Sequence, residues 1–219
     1  MIITIAHTKG GVGKSLISFH LAIAMNAAVI DLDFQRTIII NNEMRANNGK
    51  KPIAVLQTKT MQDLIKLRNH NIKYKGTNKE KTFIIDVGGF DSDVNRVAIA
   101  IADLIIVPAN DKTNDIIGLH QFKQIINEIE ESTNLKLKPM LLINNVSPTT
   151  KDFISLNSFI NENKNFKLMK SILRTRADYY KTLETGTGIT EIKNSKAKIE
   201  FKKFMKEIKK EVKNGQKKD

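Results

Sequence analysis

The sequence predicts an α/β fold: a twisted, mostly parallel sheet flanked by helices on both faces. Two observations carry this. Short β-branched runs alternate along the chain with longer stretches of helical period, the pattern of strands joined by crossover helices. A glycine-rich turn also stands directly between the first such run and the first helical stretch. With 219 residues, 41% of them hydrophobic, the chain can bury a core without covalent staples.

The elements follow in order. Residues 2–6 read as a strand and 13–26 as a helix, with Leu16, Phe19 and Ile23 at steps of three and four. Residues 28–32 form the next strand, and a helix then runs to about residue 48. Residues 53–57 read as a strand, and Met61, Leu64 and Ile65 suit one face of a short helix. Residues 69–81 are polar and aperiodic, which predicts an exposed loop. Strands at 82–87, 104–108, 140–144 and 167–173 alternate with helices at 94–102, 116–131 and 153–160. No repeat or Pro- or Ser-rich linker interrupts them, so residues 1–213 are expected to be one domain. It would end in a helix at about 195–213, followed by a frayed tail at 214–219.

Composition narrows the chemistry. The absence of cysteine excludes disulfides, thiolate zinc sites and cysteine-ligated iron–sulfur clusters. His7, His20, His70 and His120 show no metal-ligand spacing. The net charge of +13 favours a polyanionic partner. Much of it is concentrated at the end: from residue 193 onward there are eleven lysines and four acidic residues. There Ala197, Phe201, Phe204, Met205, Ile208 and Val212 fall at helical steps with lysines on the other faces, a basic amphipathic helix. The longest apolar stretch, 97–109, is interrupted by Asp103 and is well short of the ~18 residues that span a bilayer. The first residues lack the basic segment and cleavage site of a secretory signal, so a cytoplasmic location is expected.

The strongest motif is Thr8-Lys9-Gly10-Gly11-Val12-Gly13-Lys14-Ser15, between the first strand and the first helix. Glycines let backbone N–H groups approach phosphate oxygens closely, and the helix N-terminus adds partial positive charge. Lys14 can reach β- and γ-phosphates, and the Ser15 hydroxyl can coordinate Mg²⁺. Carboxylates stand at two further strand ends. Asp31 and Asp33 close the second strand, and Asp86 closes the strand before Gly88-Gly89. Ligands of an open parallel sheet bind beyond such ends, where a carboxylate can hold Mg²⁺ directly or through water.

KGGVGKS, then VIDLDFQRT, then FIIDVGG resemble the deviant Walker A ATPases, the ParA/MinD group of P-loop NTPases. The likeness continues through ADLIIVP (102–108), LLINN (141–145) and RTRADYYKTLETGTGITE (174–191). It implies ATP and Mg²⁺ as ligands, and roles for matching residues. Lys9 matches the signature lysine that crosses a nucleotide-sandwich dimer to the partner's phosphates. Residues Gly10, Gly11, Val12, Gly13, Lys14, Ser15 and Leu16 match the nucleotide cradle, and Asn144 the adenine reader. Asp33 matches the acid that orients the attacking water, and Ser15, Asp33 and Asp86 the metal-side groups. Two positions depart from the family pattern: Phe34 replaces its usual proline, and Leu16 its second hydroxyl residue. Asp111, Asn114 and Asp115 read as caps of the next helix, a stretch that in the family can also face the dimer partner.

Among such ATPases, the cysteine-dependent reductases and scaffold proteins are excluded by composition. The tyrosine kinases of this fold are excluded because Tyr74, Tyr179 and Tyr180 all precede the C-terminal segment. The chain most resembles the small ParA-type partition ATPases. These bind DNA nonspecifically as an ATP homodimer and answer to a ParB-class or small centromere-binding adaptor. Arg174, Arg176, Lys198, Lys202, Lys203 and Lys206 are the expected DNA contacts, and the location would be cytoplasmic and nucleoid-associated. The alternative is a MinD-like ATPase that uses the C-terminal amphipathic helix to sit on membrane. Packing of that helix on the sheet would leave membrane an unlikely partner.

Overall fold

All six strands run parallel, as expected from β-branched runs that each return through a helix. The computed structural model describes residues 1–58 and 60–215. The strands are β1 (Ile2–Ile5), β2 (Ala28–Asp31), β3 (Phe83–Asp86), β4 (Leu104–Ala109), β5 (Met140–Val146) and β6 (Lys167–Arg174), in the order β2-β3-β1-β4-β5-β6. The helices are α1 (Lys14–Met25), α2 (Thr37–Asn47), α3 (Met61–Tyr74), α4 (Asp93–Ala100), α5 (Thr113–Thr133), α6 (Ile154–Glu162), α7 (Ala177–Glu184) and α8 (Lys196–Gly215).

Period-two alternation builds a core on each face. On one face Ile3 and Ile5 of β1, Ile84 of β3 and Leu142 of β5 pack with Ile17 and Phe19 of α1 and with Phe201 and Phe204 of α8. On the other, Ile2, Ile85, Val107 and Leu141 pack with Ala98 of α4, Phe122 of α5 and Phe159 of α6. The apolar stripe of α8 is therefore part of the core: Phe201, Phe204 and Ile208 have no exposed surface.

Helix α8 also closes the β6 edge. Glu207 accepts from the Lys170 and Ser171 backbone N–H groups at 2.7 and 2.9 Å. Glu200 accepts from Arg174 N–H at 3.2 Å. An edge strand whose donors are taken this way is a poor template for another strand.

Two expectations are corrected. Residues 53–57 form no strand: Val55 makes a single bridge to Val29, after Pro52, which has no N–H to extend a ladder. Residues 69–74 are not loop but the end of α3, which Thr60 caps by accepting from Asp63 N–H. Packing of α3 beside α4, with Asn71 buried, extends the helix beyond what its polar sequence signals. Residues 177–184, within the RTRADYYKTLETGTGITE segment, form α7. The C-terminal helix extends through Gly215, and residues 216–219 of the expected tail lie outside the described residues. Among the described residues no helix is long and apolar enough to cross a membrane.

Candidate nucleotide-binding site

From β1 the chain winds to one side of the sheet through β2 and β3 and to the other through β4, β5 and β6. The carboxyl end of β1 is therefore the switch point, where open α/β sheets leave a crevice. The glycine-rich turn lies there. Gly11 (φ 77°) and Gly13 (φ 94°) adopt left-handed backbone, natural for glycine and strained for other residues. A Cβ on Gly10 or Gly11 would meet no atom within 4 Å, whereas one on Gly13 would sit 2.5 Å from Asn144 Nδ2. The loop is thus open towards the crevice and closed towards β5. Helix α1 begins at Lys14 with no side-chain cap and no acid in its first turn, which keeps its positive end available to an anion. The cavity in front has a volume of about 510 Å³, ample for a nucleotide's phosphates and sugar.

The two lysines of the motif differ in setting: Lys14 lines the crevice, whereas the Lys9 side chain turns to α5. Lys14 is buried, and its Nζ donates to the Lys9 carbonyl at 3.0 Å. Burial holds its pKa below the usual value, against the pull of the Asp86 and Asp33 carboxylates. Lys9 is one-third exposed and forms an ion pair with the buried carboxylate of Asp115. The Lys9 backbone N–H donates to His7 Nδ1 at 2.9 Å. Burial, reinforced by Lys14, lowers His7 to about 4, so this ring stays a neutral acceptor.

Asp86 is fully buried, and Ser18 Oγ donates to its Oδ1 at 2.9 Å. Its Oδ2 has no partner, nor does Oδ2 of Asp31. Loss of solvent pushes the Asp86 carboxyl up to about 7; Ser15, Ser18 and Lys14 oppose this, and Asp31 adds to it. Asp31 is raised in the same way, chiefly by burial. An orphaned carboxylate oxygen near a serine hydroxyl fits a hydrated divalent cation. Among the described residues no group of three or more His, Asp or Glu could hold a metal unaided. A cation here would have to share its ligands with phosphate oxygens. Asp33 is half-buried on the crevice wall, with Oδ1 accepting from Gln35 N–H at 3.0 Å. Leu16 also lines the cavity, while Val12 points into the core and offers its carbonyl to Asn144 Nδ2 at 2.7 Å.

Asn144 is consequently held against the glycine loop. Its neighbour Asn145 (φ 55°) is exposed on the same wall and accepts from Thr175 Oγ1 at 2.9 Å. Arg174 and Arg176 lie on the crevice rim, Arg174 also lining the groove beside the α8 lysines, and both are engaged. Arg174 donates to the Ser147 and Thr150 carbonyls, and Arg176 to Glu200 at 2.6 Å. Lys198 Nζ donates to the Ile192 carbonyl. Lys202, Lys203 and Lys206 are exposed, as are Lys209, Lys210 and Lys213 beyond them. Ser18, Asn145 and the Lys9–Asp115 pair were not singled out by motif reading. Ser18 carried a signal, being three residues, about one helical turn, beyond Ser15.

Comparison with known proteins agrees with this geometry. The CobQ/CobB/MinD/ParA nucleotide binding domain family matches residues 3–189. A ParA protein of Rhizobium radiobacter is 24% identical over 208 residues, covering 90% of this chain and 89% of that protein. A putative plasmid partition protein from Borrelia burgdorferi, solved bound to AMPPNP, superposes with a TM-score of 0.66 at 19% identity, over 95% of this chain and 98% of that one. The MinD cell division protein of Aquifex aeolicus superposes with a TM-score of 0.65 at 14% identity, over 93% and 96%. At these identities the structural likenesses show the fold. The chain belongs to the CobQ/CobB/MinD/ParA nucleotide-binding family.

Proposed function

We propose that this chain is a Mg²⁺-dependent ATPase that dimerises around ATP and segregates plasmid or chromosomal DNA, with residues 1–213 acting as one unit. The observation that carries this reading is the pair of lysines. Lys14 lies within the cradle, and Lys9 stands just before it in the chain with its side chain held on Asp115 of α5, so that its charge is not used to form the cradle. Bound Mg²⁺ would neutralise charge on the β- and γ-phosphate oxygens. Lys14 neutralises the same oxygens, and the Gly10–Gly13 backbone wraps them. Ser15 and Asp86 hold the cation side, and Asp33 orients the attacking water. Asn144 and its neighbours on the β5 wall contact the base. Lys9 leaves Asp115 to reach the phosphates of a second copy. Basal turnover is slow, because a switch needs long-lived ATP states.

DNA is held by phosphate contacts from the exposed lysines of α8, with Lys202, Lys203 and Lys206 at its centre. Dimerisation would set two such faces side by side and roughly double the neutralised phosphates. A ParB-class or small centromere-binding adaptor supplies cargo specificity, and the protein works in the cytoplasm at the nucleoid. The MinD-like alternative is disfavoured because Phe201, Phe204 and Ile208, the residues a membrane would take, are core residues. Co-sedimentation with duplex DNA and with anionic liposomes, in ADP and in AMPPNP, tests the choice. The expected result is analogue-dependent DNA binding that weakens steeply with salt and shows little sequence preference. Equal DNA affinity in both nucleotides, with analogue-dependent liposome binding, would transfer the assignment to the membrane.

A further inference from the structure

Two phenylalanines stand at the crevice mouth, where a soluble protein gains nothing from exposing them. Phe34 is 75% exposed and Phe90 45%. Each follows a carboxylate beyond or at a strand end: Phe34 comes directly after Asp33, two residues past the end of β2, and Phe90 ends the Gly88-Gly89 turn after Asp86, the last residue of β3. Their rings meet at a centroid distance of 5.7 Å and an angle of 44°, within the range of attractive aromatic pairs. The backbone under Phe90 is shaped for it: a Cβ on Gly88 would lie 2.7 Å from the Phe90 ring. A Cβ on Gly89 would lie 3.4 Å from the Thr8 carbonyl and 3.5 Å from Gly10 N, so this turn lies against the phosphate loop. The Asp33 loop otherwise bonds to itself, to its own strand and, through Leu32 N–H on the Asp86 carbonyl at 2.9 Å, to the end of β3, while the Asp33 carboxylate acts on Lys14 by charge alone. Asp33 N–H donates to Asp31, Gln35 N–H to the Asp33 carboxylate and Arg36 N–H to the Asp33 carbonyl. Among the described residues no side-chain hydrogen bond or ion pair joins residues 33–36 to the phosphate loop or to the Gly88–Gly89 turn.

We propose that Phe34 and Phe90 form an aromatic clasp that fixes the Asp33 loop to the phosphate loop through the Gly88-Gly89 turn, making both positioning residues for hydrolysis. The inference rests on the ATPase reading above. Both rings line the crevice but lie outside the glycine loop that wraps the phosphates, so phosphate binding does not depend on the clasp. The placement of Asp33 over the phosphates does. An aromatic contact of this size predicts a 3- to 10-fold effect, in order of magnitude.

The test is a double-mutant cycle of wild type, Phe34→Ala, Phe90→Ala and the double variant, read in two ways. One readout is steady-state ATP turnover with AMPPNP affinity. The other, independent of activity, is the rate at which trypsin cuts after the exposed Arg36 in the nucleotide-free protein. Each single change should lower kcat about 3- to 10-fold, leave analogue affinity within about twofold and speed the cut by a similar factor. The double variant should match either single one, and Phe90→Tyr, which keeps the ring, should restore both readouts. Additive effects in either readout, or wild-type turnover in the single variants, overturn the clasp while leaving the ATPase reading intact. A wild-type protein that does not hydrolyse ATP defeats the ATPase reading instead, and the trypsin cycle still decides whether the rings hold the loop.

Discussion

The crevice at the end of β1 and the seam between β6 and α8 handle charge in opposite ways. At the seam, acids are matched. Glu207 takes two backbone N–H groups and the Ser171 hydroxyl, Glu200 takes Arg174 N–H and Arg176, and Glu211 pairs with Lys167 at 2.7 Å. In the crevice they are not. Asp86 and Asp31 each keep a buried oxygen without a partner, and both carboxyls are pushed upward. Burying such groups unpaired costs stability unless something outside the chain completes them. The seam is built to hold the fold, the crevice to hold a ligand, and perturbed groups gather where function is expected.

This contrast predicts that substitutions on the two sides have opposite signatures. Lys14→Ala should give the largest effect, lowering MgATP affinity by about 100-fold or more through loss of a point charge on the phosphates. Its melting temperature without nucleotide should be unchanged or raised, since a buried cation is removed. Calorimetric titration and a thermal melt measure both, and unchanged affinity would remove Lys14 from the site. Phe204→Ala should do the reverse. It should destabilise the protein by roughly 3–5 kcal/mol, as for other buried phenylalanines. The fraction still folded should bind AMPPNP as wild type does.

A smaller effect appears in pH dependence. The folded-state value of Asp86, about 7, lies above its ordinary 3.8. The contribution from this group is therefore fully present below about pH 4 and is lost as pH rises through 7. His20 acts oppositely. Burial lowers it to about 3, so its contribution is present above about pH 6.5 and is lost as pH falls towards 3. Denaturant titrations of nucleotide-free wild type and Asp86→Asn should isolate the first term. The stability of wild type relative to the variant should rise as pH falls from 7 to 4. A constant difference would mean that Asp86 is solvated.

The smallest expected change in stability comes from the outer face of α8. Replacing Lys202, Lys203, Lys206 and Lys209 with Gln should alter stability by less than about 0.5 kcal/mol per site, as for other exposed substitutions. The same protein should bind duplex DNA more weakly, with a shallower salt dependence, by up to about 0.9 per lost phosphate contact. A large loss of stability would show that these lysines hold the seam.

Chain-local physics determined much of this protein. Strand–helix alternation identified the parallel sheet, because β-branched runs and helical periods are properties of neighbouring residues. Gly10–Ser15 identified the phosphate loop for the same reason: its glycines, lysine and serine are contiguous, and the glycines' left-handed backbone is a local need. Asp86 was legible as a strand-end acid, whereas Asp33, expected to close β2, lies two residues beyond its end at Asp31. Where side chains separated by many residues meet, the sequence was silent. Only the fold decided that Lys9 pairs with Asp115, that Asn144 is held against the glycine loop, and that Phe34 finds Phe90. It decided also that Arg174 and Arg176 are engaged at the crevice rim, leaving the outer lysines of α8 free. The same amphipathic pattern suits a sheet or a membrane equally. Burial of Phe201 and Phe204 on the sheet selected the first, because an apolar face packs on whatever surface the rest of the chain brings to it.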